Sequence, residues 1–180
     1  MRQVYGANCY EMMRILGIDC GTEITGYGVV EQNDDGALTA IAAGAIRLST
    51  RAPLPARLNQ VFATLRGIIE QHRPDMVAIE DVFYAVNVKS ALKLGQVRGV
   101  AMLSAAFCGL AVAEYAPLAI KSAVVGYGRA EKSQVQHMVA VLLKLEAPPE
   151  PPDVADALAI AICHLHTWTT LSRQGAAPSA

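Results

Sequence analysis

The sequence predicts an α/β domain on a mixed five-stranded sheet: three antiparallel strands, then strands alternating with helices that flank the sheet. Three observations lead there. Short apolar runs in the first third are separated by turns of a few residues, whereas parallel neighbours need crossovers of a dozen or more. After Pro55 the apolar residues recur at helical spacing. Two later apolar runs are each followed by a helical segment. At 180 residues, 53% hydrophobic and 17% charged, the chain suits one domain and can bury a core.

The elements follow in order. Residues 1–13 show no periodicity and are expected to be a disordered extension, with Met12 or Met13 as a natural start. Arg14 to Cys20 is a short apolar run ending in Asp19, hence a buried strand. Gly21-Thr22 turns the chain into a second strand, Gly26 to Gln32, and Asn33-Asp34-Asp35-Gly36 turns it into a third, Leu38 to Leu48. Beyond Pro53-Leu54-Pro55, the spacing of Leu58, Val61, Phe62, Leu65, Ile68 and Ile69 predicts an amphipathic helix that stops before Pro74. Met76 to Glu80 is a fourth strand, Lys89 to Cys108 a helix closed by Gly109, and Leu110 to Tyr115 a fifth strand. Glu131 to Leu145 is helical, with Val135, Met138, Val139, Leu142 and Leu143 on one face. A proline-rich linker, Ala147 to Pro152, precedes a last helix from Asp153 to about Trp168, and residues 169–180 read as a disordered tail. The domain therefore spans 14–168, and its β-β-β-α-β-α-β-α order is that of the ribonuclease H-like architecture.

Composition excludes several classes. The longest uncharged apolar run, Gly99 to Ala113, falls short of the ~20 residues a membrane-spanning helix needs and contains two glycines. Asn8 and Glu11 stand where a secretory signal carries its apolar segment, so the cytoplasm is the expected compartment. Cys9, Cys20, Cys108 and Cys163 form no C-x-x-C pair, which argues against a zinc site or a disulfide framework. Lys plus Arg number 15 against 16 Asp plus Glu, which rules out a strongly basic nucleic-acid coat. The distribution is uneven: Lys89 to Lys144 holds seven basic and two acidic residues, a surplus of +5, leaving −6 elsewhere.

Four acids carry the chemistry. Asp19 and Glu80 each end an apolar run, where a half-buried carboxylate is costly unless something pairs with it. A later strand parallel to the first would bring the two to one sheet edge. Asp153 and Asp156 are three residues apart, hence on one helix face, in the first turn where the dipole favours anions. Taken alone, Asp153 after Pro152 is an ordinary helix-start residue, and Asp19 could orient a turn; Asp156, surrounded by Val154, Ala155, Ala157, Leu158 and Ala159, is harder to explain so. If the acids meet, they require counter-charge, since two unit charges ~4 Å apart repel by about 4 kcal/mol at an effective dielectric near 20. All-oxygen ligands suit Mg²⁺ or Mn²⁺, and two such ions can assist phosphodiester hydrolysis.

At these residues the sequence resembles a family. Gly17-Ile18-Asp19 with Gly21 and Gly26-Tyr27-Gly28-Val29-Val30 is similar to the opening of RuvC-type Holliday junction resolvases. So are Ala78-Ile79-Glu80 with Val82-Phe83, the segment Ser90 to Gln96 with Arg98-Gly99-Val100, the segment Ala130 to Met138, and Asp153 with Ala155 to Ala161. The match spans residues 14–166 in order. The resemblance implies a homodimeric, Mg²⁺-dependent endodeoxyribonuclease that nicks two strands of like polarity in a four-way junction, in recombination and repair. It implies two Mg²⁺ per site, with Mn²⁺ able to substitute, and a branch-migration helicase complex as a partner. Asp19, Glu80, Asp153 and Asp156 fall on the family's catalytic, metal-holding carboxylates. Phe83 falls on an aromatic used at the junction crossover, where a base stacked on a side chain contributes ~1–3 kcal/mol. Asn87, on the same loop, is a DNA-binding candidate with it. Lys121 and Lys132 fall on basic positions near the scissile phosphate and DNA backbone. The plainer readings are a core aromatic for Phe83 and solvated helix lysines for Lys121 and Lys132. Cys20 stands where the family usually has proline, Val86 where a basic residue is common, and residues 1–13 have no counterpart.

Two other readings compete. Gly-Ile-Asp-Cys-Gly-Thr followed by Gly26 also looks like the first phosphate loop of actin-like and sugar-kinase-like ATPases, which share the core fold but need two such halves. A non-catalytic ribonuclease H-like nucleic-acid-binding module is the third reading; four intact acids facing DNA weigh against it.

Overall fold

The computed structural model describes residues 12–81 and 88–174. In chain order these form β1 (Met13–Asp19), β2 (Ile24–Gln32), β3 (Leu38–Arg47), α1 (Leu54–His72), β4 (Met76–Glu80), α2 (Val88–Phe107), β5 (Val112–Tyr115), α3 (Pro117–Val125), α4 (Lys132–Leu142) and α5 (Pro152–Arg173). The sheet order is β3-β2-β1-β4-β5. β1, β2 and β3 pair antiparallel, while β4 lies parallel to β1 and β5 parallel to β4. The expected mixed sheet is present, with β1 at its centre.

Alternation along the strands divides the core. Leu16, Ile18, Val77 and Ile79 face one side and pack with α1 and α2 through Val61, Leu65, Val97 and Ala101. Ile15 and Ala78 face the other, against α3, α4 and α5 through Ile120, Val135, Val139, Leu158 and Ile162. By the same period, Gly17, Asp19 and Glu80 belong to the α5 side.

That side is unusually close. A Cβ on Gly17 would lie 2.1 Å from the Ala157 carbonyl oxygen, and one on Gly26 would lie 2.0 Å from that of Asp153. The α5 backbone therefore rests directly on β1 and β2, at a separation that admits no side chain on these strand positions. At the far edge, the Tyr115 hydroxyl meets His164 Nδ1 at 2.8 Å, tying β5 to α5. Burial lowers the His164 pKa to about 4, so the ring in this contact is neutral at ordinary pH.

Several boundaries differ from the sequence reading. Met13 opposes Gln32 and opens β1, so the first strand begins one residue earlier than expected; residues 1–11 lie outside the described residues. Residues 169–173, read as part of a disordered tail, continue α5. The Thr167, Thr169 and Thr170 hydroxyls donate to carbonyls one turn back, and Thr169 also reaches Gln32 Oε1 at 2.9 Å, which anchors the last turns to β2. Residues 175–180 lie outside the described residues. α4 ends at Leu142 rather than Leu145, with Lys144 in a left-handed conformation at φ 54°. The sequence reading passed over α3, although Pro117 at its start and Gly126 at its close, φ 93°, carry the usual signals.

Gly17→Ala is expected to lower unfolding free energy by at least about 1–3 kcal/mol, the usual range for overpacking, because the obstructing atoms are backbone rather than movable side chain. Urea unfolding checks it; an unchanged midpoint would mean that α5 does not sit this close.

Candidate active site

Asp19 and Glu80 reach the site through strand register. The last matched pair of β1 and β4 is Ile18–Ile79, so the next residues, Asp19 and Glu80, end neighbouring parallel strands on the same face. Asp19 also opposes Gly26, the glycine over which the Asp153 carbonyl sits. The start of α5 is thus brought over the end of β1, and Asp156 follows on the same helix face.

Asp19, Glu80 and Asp156 line one cleft of about 230 Å³, together with Lys121 from α3 and Lys132 from α4. Pro117, Ile120, Val135, Ala159 and Ile160 complete its walls. Asp153 lies beside the cleft rather than on its lining, close enough that its charge acts on Asp19. Asp19 is raised from 3.8 to about 7, first by burial and then by the negative charges of Asp156, Glu80 and Asp153, with Lys132 opposing. Glu80 is raised as well, by burial and by Asp156, with Lys132 and Lys121 opposing. The four acids occupy one electrostatic neighbourhood.

Lys132 Nζ lies 2.6 Å from Asp156 Oδ2, and this bond raises the lysine pKa. Lys121 projects into the same cleft without an ion pair among the described residues. Phe83, Val86 and Asn87 lie outside the described residues. Cys20, the departure after Asp19, is partly buried, and its thiol is pushed up to about 12 by burial and the Asp19 charge.

Sequence reasoning missed Arg98 of α2. Its Nε donates to the Glu80 carbonyl at 3.2 Å, and its guanidinium pairs with Glu114 of β5 and lies 3.5 Å from Asp81. Arg98 thereby fastens the end of β4, where Glu80 stands. Its place in the Arg98-Gly99-Val100 motif was the available signal; the partners, 16 to 18 positions away in sequence, were not visible.

The donor set is carboxylate oxygen throughout, and Asp19 is a largely buried acid with three acids near it and one lysine opposing. The residues fit a divalent cation that prefers oxygen, Mg²⁺ or Mn²⁺ over Zn²⁺. Among the described residues, no three such side chains are already gathered as a ligand shell. Lys132 holds the Asp156 carboxylate instead.

A ribonuclease H-like sheet with acids ending its two central parallel strands, and more acids on the helix laid across them, defines a nuclease of that superfamily. The family model for crossover junction endodeoxyribonuclease RuvC matches residues 15–164. A curated RuvC of Koribacter versatilis is 66% identical over 164 residues, covering 91% of this chain and 99% of its own. The solved structure of Thermus thermophilus RuvC superposes with a TM-score of 0.81 at 32% identity, covering 92% of this chain and 98% of that one. A second structure, T. thermophilus RuvC in complex with Holliday junction substrate, gives a TM-score of 0.80 at 29% identity, covering 91% and 97%. The chain belongs to the RuvC family of crossover junction endodeoxyribonucleases. Membership along the whole domain decides against the ATPase half and the non-catalytic module.

The raised Asp19 pKa has a stability consequence. Between the unfolded value of 3.8 and the folded value of about 7, the folded state binds the proton that the unfolded state releases. Stability from this group is therefore full below about pH 4 and is lost as pH rises through 7. Asp19→Asn is expected to melt higher than the parent at pH 8 in chelator, with the gap narrowing towards pH 5. Thermal melts at the two pH values test this; a constant or reversed gap would contradict it.

Proposed function

We propose that this protein resolves four-way DNA junctions in the cytoplasm, as a homodimer, by divalent-metal-dependent phosphodiester hydrolysis. The convergence of Asp19, Glu80 and Asp156, with Asp153 beside them, in a cleft that also holds Lys121 and Lys132 carries the reading. The four acids would hold two Mg²⁺, with Mn²⁺ able to replace them. When bound, such ions activate a water and offset charge on the leaving oxygen.

The chain's own residues do the rest. Register holds Asp19 and Glu80 side by side, and Arg98 keeps the Glu80 strand end in place. Lys121 offers a compact positive charge to a non-bridging phosphate oxygen. Ile120, Val135 and Ile160 narrow the space open to water. Phe83 and Asn87 follow Glu80 in the chain and are assigned to the crossover, Phe83 as a stacking platform. The basic surplus between Lys89 and Lys144 supplies backbone attraction.

A junction with near two-fold symmetry wants two such sites, and α2 offers a surface for pairing. Val88, Leu92, Leu103 and Phe107 are exposed along it. Gly95 and Gly99 lie on the same stripe with nothing within 4 Å of where a Cβ would stand, so a second copy's helix can approach closely. A branch-migration helicase complex is the further partner that the family reading brings.

Glu80→Gln is expected to keep selective binding of a synthetic four-way junction while cutting its nicking rate on the order of 10³-fold, since ligand charge is lost without volume. Near-normal nicking would remove Glu80 from the site. Leu103→Glu is expected to sediment as a monomer at concentrations where the parent is dimeric and to lose paired nicking; an intact dimer would place the interface elsewhere.

A further inference from the structure

Lys132 opens α4, and its position is set by a cap rather than by its partner. The Glu131 side chain accepts from the Gln134 backbone, while Gln134 Oε1 accepts from Glu131 N and from the Tyr127 hydroxyl, both at 2.9 Å. The helix start is thus fixed, and the lysine extends from it to Asp156 Oδ2 at 2.6 Å. Asp156 is the acid whose charge acts most strongly on both Asp19 and Glu80. Lys132 has therefore taken the carboxylate that couples the cluster.

We propose that Lys132 stands in for a divalent ion in the ion-free protein: its ammonium and the ion compete for Asp156, and an ion held there releases the lysine's charge to substrate phosphate. The inference rests on the metal-dependent reading above and adds an order of events to it. An ammonium hydrogen-bonded to Oδ2 obstructs ligation through that oxygen, and while it is paired there most of its charge is neutralised by Asp156 rather than offered to a phosphate. The side chain can make the exchange, since it is 61% exposed on a flexible stem anchored only at the helix start. Metal and DNA binding are then linked with positive sign: an ion on Asp156 frees a phosphate contact, and a phosphate on Lys132 frees a ligand. Lys121, on the wall of the same cleft without an ion pair among the described residues, carries the same charge without this competition.

The two lysines make a controlled test. Mg²⁺ is titrated into the full-length protein without DNA and followed by calorimetry and thermal melting, for the parent, Lys132→Met and Lys121→Met. Lys132→Met is expected to lower the Mg²⁺ midpoint roughly two- to fivefold, the range set by loss of a partly exposed ion pair, and Lys121→Met distinctly less. In chelator, Lys132→Met is expected to melt below the parent, and saturating Mg²⁺ to remove most of the difference. Equal midpoints for the two variants, or no loss of melting temperature in chelator, would overturn the competition and leave the metal site standing. Absence of Mg²⁺ uptake by the parent would overturn the metal-dependent reading and this inference with it.

Discussion

Direct contact between the α5 backbone and the glycine positions of β1 and β2 is the constraint on which the site depends. With Gly17 and Gly26 beneath it, the helix lies on the sheet where any side chain would collide with carbonyl oxygen. This closeness puts the first turn of α5 over the end of β1, so that acids more than a hundred residues apart share one field. Ordinary helix-on-sheet packing, with side chains interposed, would hold Asp153 and Asp156 further from Asp19.

Like charges gathered in this way oppose folding. Asp19 is raised to about 7, and Glu80 is shifted in the same direction. The domain accommodates the strain by fastening what surrounds the acids. Arg98 joins the ends of β4 and β5, the Tyr115–His164 contact holds β5 to α5, and Lys132 offsets part of the negative charge. Each is a local interaction of modest strength. Their common effect is to keep a repulsive cluster in place for the cation that would relieve it.

Much of the fold was legible because its signals are local. The turn at Asn33 to Gly36, the helical spacing from Leu58 to Ile69 and the acid-terminated runs at Asp19 and Glu80 all arise from neighbours in the chain. Where long-range contacts decide, local pattern falls short. α5 extends through Arg173 because Thr169 finds Gln32, and α4 stops at Leu142 where Lys144 turns left-handed. α3 was missed despite its Pro117 and Gly126 punctuation, because no long apolar period drew attention to it. Arg98 stood in a recognised motif, but its partners on β4 and β5 belong to the folded sheet alone.

The sequence by itself determined the order of the strands and of every helix but α3, the four carboxylates and the two lysines, since residue type and local period are properties of the chain. Which acids share a cleft, and which of them Lys132 occupies, was decided only in the tertiary structure. Those relations depend on the β1–β4 register and on how near a glycine surface lets a helix come, and distances of a few ångströms between remote segments leave no trace in local pattern.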